Sequence, residues 1–123
     1  MHWRKQRGQR AEQWALRWLR GQGLTPEVAN YQCRLGEVDL IMNHGETLVF
    51  VEVRWRGETD YGGALASVDT RKQRRLILAA RHYLGRHPHQ ARRPCRFDVL
   101  GLEPDDGGTV RYHWVQNAFY GDG

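Results

Sequence analysis

The chain has 123 residues, a formal net charge of +5 and an isoelectric point near 9.7. That length suits one domain, 1–123, with a real core, and no apolar run is long enough to span a bilayer, so no membrane partner is expected. Hydrophobic residues at 40% and charged residues at 27% exclude a disordered or fibrous chain.

The N-terminal Met1-His2-Trp3-Arg4-Lys5-Gln6-Arg7 is basic but leads into no apolar signal core, so a cytoplasmic protein is expected. A helix is predicted over Gly8–Gly21. Ala11, Trp14, Ala15, Trp18 and Leu19 recur at helical spacing as its buried stripe, and Gly21 and Gly23 end it. Arg10, Arg17 and Arg20 make the rest basic. Glu12 falls about 100° from the centre of the stripe by the helical period. At that edge it either pairs with a nearby Arg or turns toward the sheet.

Strands are predicted over Glu27–Arg34, Glu37–Asn43 and Thr47–Trp55. Leu48-Val49-Phe50-Val51 is apolar on both faces, as in a central strand covered by helices. Asn43-His44-Gly45-Glu46 reads as a hairpin connection. A two-residue loop at His44-Gly45 sets Glu37 opposite Glu52 and Asp39 opposite Phe50. Period-two alternation then puts Glu37, Asp39, Glu52 and Arg54 on one face, with Asp39 and Glu52 diagonal at roughly 7–8 Å. Lone buried carboxylates are costly. Several on one face point to a shared hard cation, magnesium or manganese, or else to a chain of Arg partners.

Arg56–Ala66, with Gly57, Gly62 and Gly63, is predicted as a loop. A second helix is predicted over Thr70–Arg86, with Asp69 as N-cap, Leu76, Ala79, Ala80, Tyr83 and Leu84 as its buried stripe, and Pro88 as its stop. Arg71, Lys72, Arg74 and Arg75 crowd its first turns, where cations oppose the helix dipole. They face either an anionic partner such as nucleic acid or plain solvent. Seventeen of the 19 basic residues are Arg, whose planar fork suits bidentate phosphate contact. His87-Pro88-His89 is read as a surface turn. Strands follow at Cys95–Leu102 and Thr109–Val115, joined by the turn Asp105-Asp106-Gly107-Gly108. Asp98 is expected to partner an Arg. Cys33 and Cys95 match no zinc spacing and are expected as reduced, packed thiols.

This order of elements, with an acid on the second strand and Glu-x-Lys-like chemistry on the third, resembles the PD-(D/E)XK nucleases. More narrowly, the chain resembles the YraN-like family of small predicted endonucleases. The matching segments are Gly8-Gln9-Arg10-Ala11-Glu12, Asn30-Tyr31, Arg34-Leu35-Gly36-Glu37-Val38-Asp39-Leu40-Ile41, Leu48-Val49-Phe50-Val51-Glu52-Val53-Arg54, Val68 with Lys72, Arg96-Phe97-Asp98-Val99 and Asn117-Ala118-Phe119. The resemblance implies an α/β fold: a single restriction-endonuclease-like domain, its mixed β-sheet flanked by two main helices in the order α-β-β-β-α-β-β.

It also implies metal-dependent hydrolysis of nucleic acid, expected to be DNA, including branched or structured forms. Glu12, Asp39, Glu52 and Arg54 would be the catalytic positions. Asp39, Glu52 and the backbone carbonyl of Val53 would hold magnesium or manganese. Arg71, Lys72, Arg74 and Arg75 would face phosphate. A homodimer would suit a branched target. In one place the chain departs from the family pattern, which has Lys where this chain has Arg54. Arg keeps the charge, but it is bulkier and does not give up its proton. A second reading is therefore a nucleic-acid-binding module on a nuclease fold with weakened or lost cleavage. A third is an interaction scaffold with a structural acid–Arg cluster.

Overall fold

The computed structural model describes residues 2–56 and 63–120, with side chains from Arg10 onward except those of 64 and 65. Helix α1 (His2–Gly21) leads into strands β1 (Thr25–Cys33), β2 (Gly36–His44) and β3 (Thr47–Trp55). A short helix α2 (Gly63–Ala66) and the long α3 (Thr70–Arg86) then carry the chain to β4 (Cys95–Pro104) and β5 (Val110–Phe119). The five strands form one mixed sheet in sequence order, β1-β2-β3-β4-β5. Only β3 and β4 run parallel, and α3 lies in the crossover between them. The architecture is the expected single α/β domain and is compatible with a nuclease-like fold. Among the described residues no helix is long and apolar enough to cross a membrane.

Each helix covers one sheet face with the stripe its sequence encodes. Ala11, Ala15 and Leu19 of α1 pack with Leu40, Met42, Val49, Val51, Leu100 and Leu102. Trp14 and Trp18 are half-buried at the edge of that cluster. Trp18 stacks on Tyr112 with centroids 4.9 Å apart, and Trp14 meets Trp55 edge-on at 6.3 Å. Arg17 is exposed, as expected. On the other face, Leu76, Ala79, Ala80 and Tyr83 of α3 pack with Val38, Ile41, Phe50, Phe97 and Val99. Phe50 and Val49 belong to different clusters, so β3 is buried on both sides.

Local chemistry fixes the helix ends. Gly23 has φ 98°, and the amides of Gly23 and Leu24 bond the carbonyls of Arg20 and Leu19 at 3.1 Å each, the Schellman pattern. Asp69 caps α3 by accepting from the Lys72 amide at 2.9 Å. The Asp105 carboxylate accepts the amides of Gly107 and Thr109, so it serves the turn as expected.

Four expectations need correction. The hairpin loop is Gly45-Glu46, one residue later than predicted, so His44 pairs with Thr47 and Leu40 with Val51. Gly45 has φ 62° and takes the first loop position, where a II′ hairpin wants glycine. Moving the loop by one residue moves the pairing by two, which preserves strand parity. Strand β5 continues to Phe119, past the predicted Val115, because Asn117 takes φ 53° beside a register shift and lets pairing resume at Phe97. Cys33 is half-buried, but Cys95 opens β4 at the surface, so only one of the two free thiols is packed. Within the predicted loop Arg56–Ala66, Gly63–Ala66 is helical, while 57–62 lies outside the described residues.

Gly36 sets how closely α3 can approach β2. A Cβ there would lie 2.2 Å from the Arg75 carbonyl oxygen, and a backbone atom cannot rotate away. Gly36→Ala should destabilise the fold by about 1–3 kcal/mol, the range for overpacking. Chemical denaturation would measure it, and a variant as stable as the wild type would contradict this seating of α3.

Candidate metal and nucleic-acid site

Pairing between β2 and β3 stops at Leu40–Val51, and beyond it the strands part. One step further in the same register Asp39 stands opposite Glu52, closer than the diagonal placement expected. Instead of continuing the ladder, Asp39 Oδ2 accepts the Val53 amide at 2.8 Å. In an extended strand the N–H and C=O of one residue point the same way, so the Val53 carbonyl also faces this fork.

The expectation that Glu37, Asp39, Glu52 and Arg54 share one face holds only in part. Val38 packs on the α3 side and Leu40 on the α1 side, although alternation would put them together. The alternation breaks between them, at Asp39. Asp39 therefore meets acids from both sides of the sheet: Glu12 of α1 and Glu52 of β3 both lie close enough for the Asp39 charge to act on them. Of the two readings for Glu12, it takes the one turned toward the sheet. Its other flank lines an open cavity of about 410 Å³ with Ala29, Asn30 and Leu40. The three carboxyls form a chain through the fork. Among the described residues no three or more His, Cys, Asp or Glu side chains are spaced as a ready-made metal cage.

On the α3 side, Glu52 lines a cleft of about 140 Å³ with Glu37, Arg54, Lys72 and Arg75. Arg54 is held there from two directions, Nε donating to Ser67 Oγ at 2.9 Å and Nη1 lying 3.6 Å from Glu52 Oε1. Lys72 Nζ donates to the Ser67 carbonyl at 3.2 Å. Of the four cations expected to face phosphate, the structure brings Lys72 and Arg75 to this cleft. Arg71 and Arg74 are exposed on other faces of α3. Ser67 carries no signal in the sequence, since nothing in the segment before Asp69 marks it.

A family model described as "Uncharacterised protein family UPF0102" matches residues 11–102, which include every acid of the fork. The chain belongs to the UPF0102 family. It is 60% identical over 119 residues to a UPF0102 protein of Alcanivorax borkumensis, covering 97% of this chain and 95% of that protein. A UPF0102 protein of Aeromonas hydrophila is 54% identical over 114 residues, 92% of this chain and 84% of the relative. One from Pseudomonas aeruginosa is 48% identical over 116 residues, 94% and 93% respectively.

The fork of this UPF0102 chain is electrostatically strained. The Glu12 carboxyl is pushed from 4.5 up to about 7, first by burial, then by the charges of Asp39 and Glu37 and its hydrogen bond with Asp39. Asp39 is raised mainly by burial, partly offset by the Val53 amide. Glu52 is raised by burial first and the Asp39 charge second, with Arg54 and Lys72 opposing. The Val53 amide stabilises the charged form of Asp39, and the Arg54 and Lys72 charges do so for Glu52.

A stability trend follows from these directions. Each acid binds protons more tightly folded than unfolded, so stability is fullest below the ordinary carboxyl range. It is lost as pH rises, for Glu12 between 4.5 and about 7. The full Glu12 shift would correspond to about 3 kcal/mol. Because Glu12 is only half-buried, screening reduces this to on the order of 1 kcal/mol. Glu12→Gln should therefore melt higher than wild type at about pH 8, and the gap should close at about pH 4. A gap independent of pH would rule out this origin of the strain.

Proposed function

We propose that this protein is a divalent-cation-dependent nuclease-like protein that hydrolyses phosphodiester bonds in DNA at the β2–β3 fork. One observation carries the reading: Glu12, Asp39 and Glu52 come together where the Val53 backbone turns inward, with Arg54 and Lys72 on the cleft side. The likeness to the PD-(D/E)XK nucleases and the YraN-like family supports the same assignment. All-oxygen donors, two carboxylates and a carbonyl, fit magnesium or manganese, and repulsion among the acids that Arg54 and Lys72 only partly offset fits a site that takes up positive charge. Such a cation would supply the charge that activates a water and offsets the phosphate.

The chain's own residues do the rest. Asp39 is oriented by the Val53 amide, and Glu52 sits beside the guanidinium of Arg54. Ser67 positions both cations, Arg54 through its hydroxyl and Lys72 through its carbonyl. Arg54 and Lys72 can then hold phosphate oxygens, Arg54 as a fork and Lys72 as a mobile point charge. A cytoplasmic location and a homodimer, which would bring two forks to a branched target, belong to the same reading.

The test is titration of magnesium or manganese against linear, flapped and four-way DNA. Cleavage is expected with either cation and none with a chelator. Binding should weaken with salt, log K falling by about 0.9 per log salt for each phosphate contact on duplex DNA. Removing Lys72 and Arg75 together should flatten that slope by roughly two contacts. An unchanged slope would mark them as a solvated face.

A second reading is favoured by the engagement of Arg54. Its guanidinium is already committed to Ser67 and Glu52, which suits a binding module with weakened cleavage. Arg54→Lys separates the two. If position 54 holds cleavage back, Lys raises the rate. If the planar fork is used, Lys lowers it. If both proteins bind DNA but cleave none of the substrates, the binding module stands.

A further inference from the structure

We infer that the groove between α3 and Tyr120 is a subsite for an unpaired nucleotide of the strand held at the fork. The inference rests on the nucleic-acid reading above and narrows its substrate to DNA with a single-stranded portion next to the duplex.

The groove encloses about 190 Å³ and is lined by Thr70, Arg74, Ile77 and Arg81 of α3 together with Tyr120. Its lining contains no acid among the described residues. Tyr120 is 72% exposed, the most open of the large hydrophobic residues described. A ring so placed just beyond the end of β5 contributes little to the core. It does offer a flat face to an incoming planar group. Arg74 and Arg81 are seven residues apart, so they share one face of α3, separated by roughly 10 Å along its axis. They flank the apolar Ile77 and the Tyr120 ring with positive charge.

An aromatic surface between two cations matches an unpaired nucleotide, with the base on the ring and the phosphates on the guanidinium groups. A paired base cannot use it, because both of its faces are already covered in the duplex stack. The groove also connects to the fork. Around α3, at about 100° per residue, Lys72 and Arg75 lie on the cleft side and Arg74 and Arg81 on the other. Arg71, exposed, falls between them. A strand leaving the cleft would cross a continuous line of cations over the first two turns of α3. With side chains a helix is about 10–12 Å across. The seated base would then be a few nucleotides from the bond at the fork.

The experiment compares binding, by fluorescence anisotropy without divalent cation, to three probes. They are a blunt duplex, the same duplex with a short thymine extension, and that duplex with an abasic extension. Wild type should prefer the thymine extension by about fivefold to tenfold over both others, as stacking of one base on an aromatic ring predicts. Tyr120→Ala should lose the preference while binding the blunt duplex as before, and Tyr120→Phe should keep it. Because Tyr120 is exposed beyond the last strand, both variants should fold, and their melting curves check this. Equal affinity of wild type for all three probes would overturn the subsite, as would an unchanged preference in Tyr120→Ala. A change of oligomeric state in Tyr120→Ala, seen by sedimentation, would assign the groove to a second copy of the chain instead. Failure to bind any probe would remove the nucleic-acid reading itself, whereas tight binding without preference removes only the subsite.

Discussion

Asp39→Asn and Glu52→Gln should each abolish cation-dependent DNA cleavage without unfolding the protein. Each change removes one negative charge and keeps almost the same shape. The loss should reach about 10²–10³-fold, the scale seen when a preorganised group acting on developing charge is removed. Stability should move the other way for Glu52→Gln. The wild-type carboxyl is raised by burial and by the Asp39 charge, so a neutral amide relieves repulsion near neutral pH. Asn at position 39 keeps an oxygen to accept the Val53 amide, so Asp39→Asn should be close to neutral in stability. Magnesium should raise the melting temperature of wild type more at about pH 8 than at about pH 5, because protons compete for the same oxygens. Both variants should lose most of that increment. A Glu52→Gln protein that cleaves at close to the wild-type rate would move the chemistry away from this fork. One that loses cleavage only because it has unfolded would show itself in the melting curve.

What the sequence makes legible here depends on how local the deciding physics is. Thr47–Trp55 and Thr70–Arg86 fold over the predicted spans because an apolar run and an Asp69 cap are read within a few residues. The side of the sheet that Glu52 faces was legible from parity, because placing the hairpin loop one residue early moves the pairing by two. The break in alternation at Asp39 was not legible. It falls where the β2–β3 pairing ends, a feature of tertiary packing and not of local sequence. Glu12 could be placed only at the rim of the α1 stripe, because its approach to Asp39 depends on how that helix packs on the sheet. Lys72 reaches the cleft because Gly36 lets α3 approach β2, through a contact between Gly36 and Arg75, 39 positions apart. Asn117 hid the end of β5 because its positive φ interrupts the period-two pattern.

Asp98→Ala should be among the most destabilising single changes in this protein, at about 3–5 kcal/mol, the range for removing one partner of a buried ion pair. Asp98 is fully buried. Its carboxylate accepts from Arg96 Nε at 3.0 and 3.2 Å, from Arg96 Nη2 at 3.1 Å, from Trp114 Nε1 at 2.9 Å and from the Asn117 amide at 3.0 Å. Arg96 also donates to His44 Nδ1 at 2.7 Å, so the carboxylate anchors a network joining β2, β4 and β5. Removing it strands a guanidinium, an indole N–H and a backbone amide at once.

The position is distinct from the fork despite being near it in sequence order along the sheet. Asp98 pairs with Val51 and Glu52 with Val99 in the parallel ladder, so Asp98 and Glu52 point to opposite faces. Asp98→Asn should therefore cost stability, roughly 1.5–3 kcal/mol as for a lost hydrogen bond to a charged group, while leaving the dependence on magnesium unchanged. Arg96→Met together with Asp98→Leu should cost less than the sum of the single changes, because apolar groups replacing a buried pair leave no charge unpartnered. Strict additivity in that cycle would deny the coupling between the two residues. A shift in the magnesium requirement of Asp98→Asn would instead bring Asp98 into the metal chemistry, against its placement on the far face of the sheet.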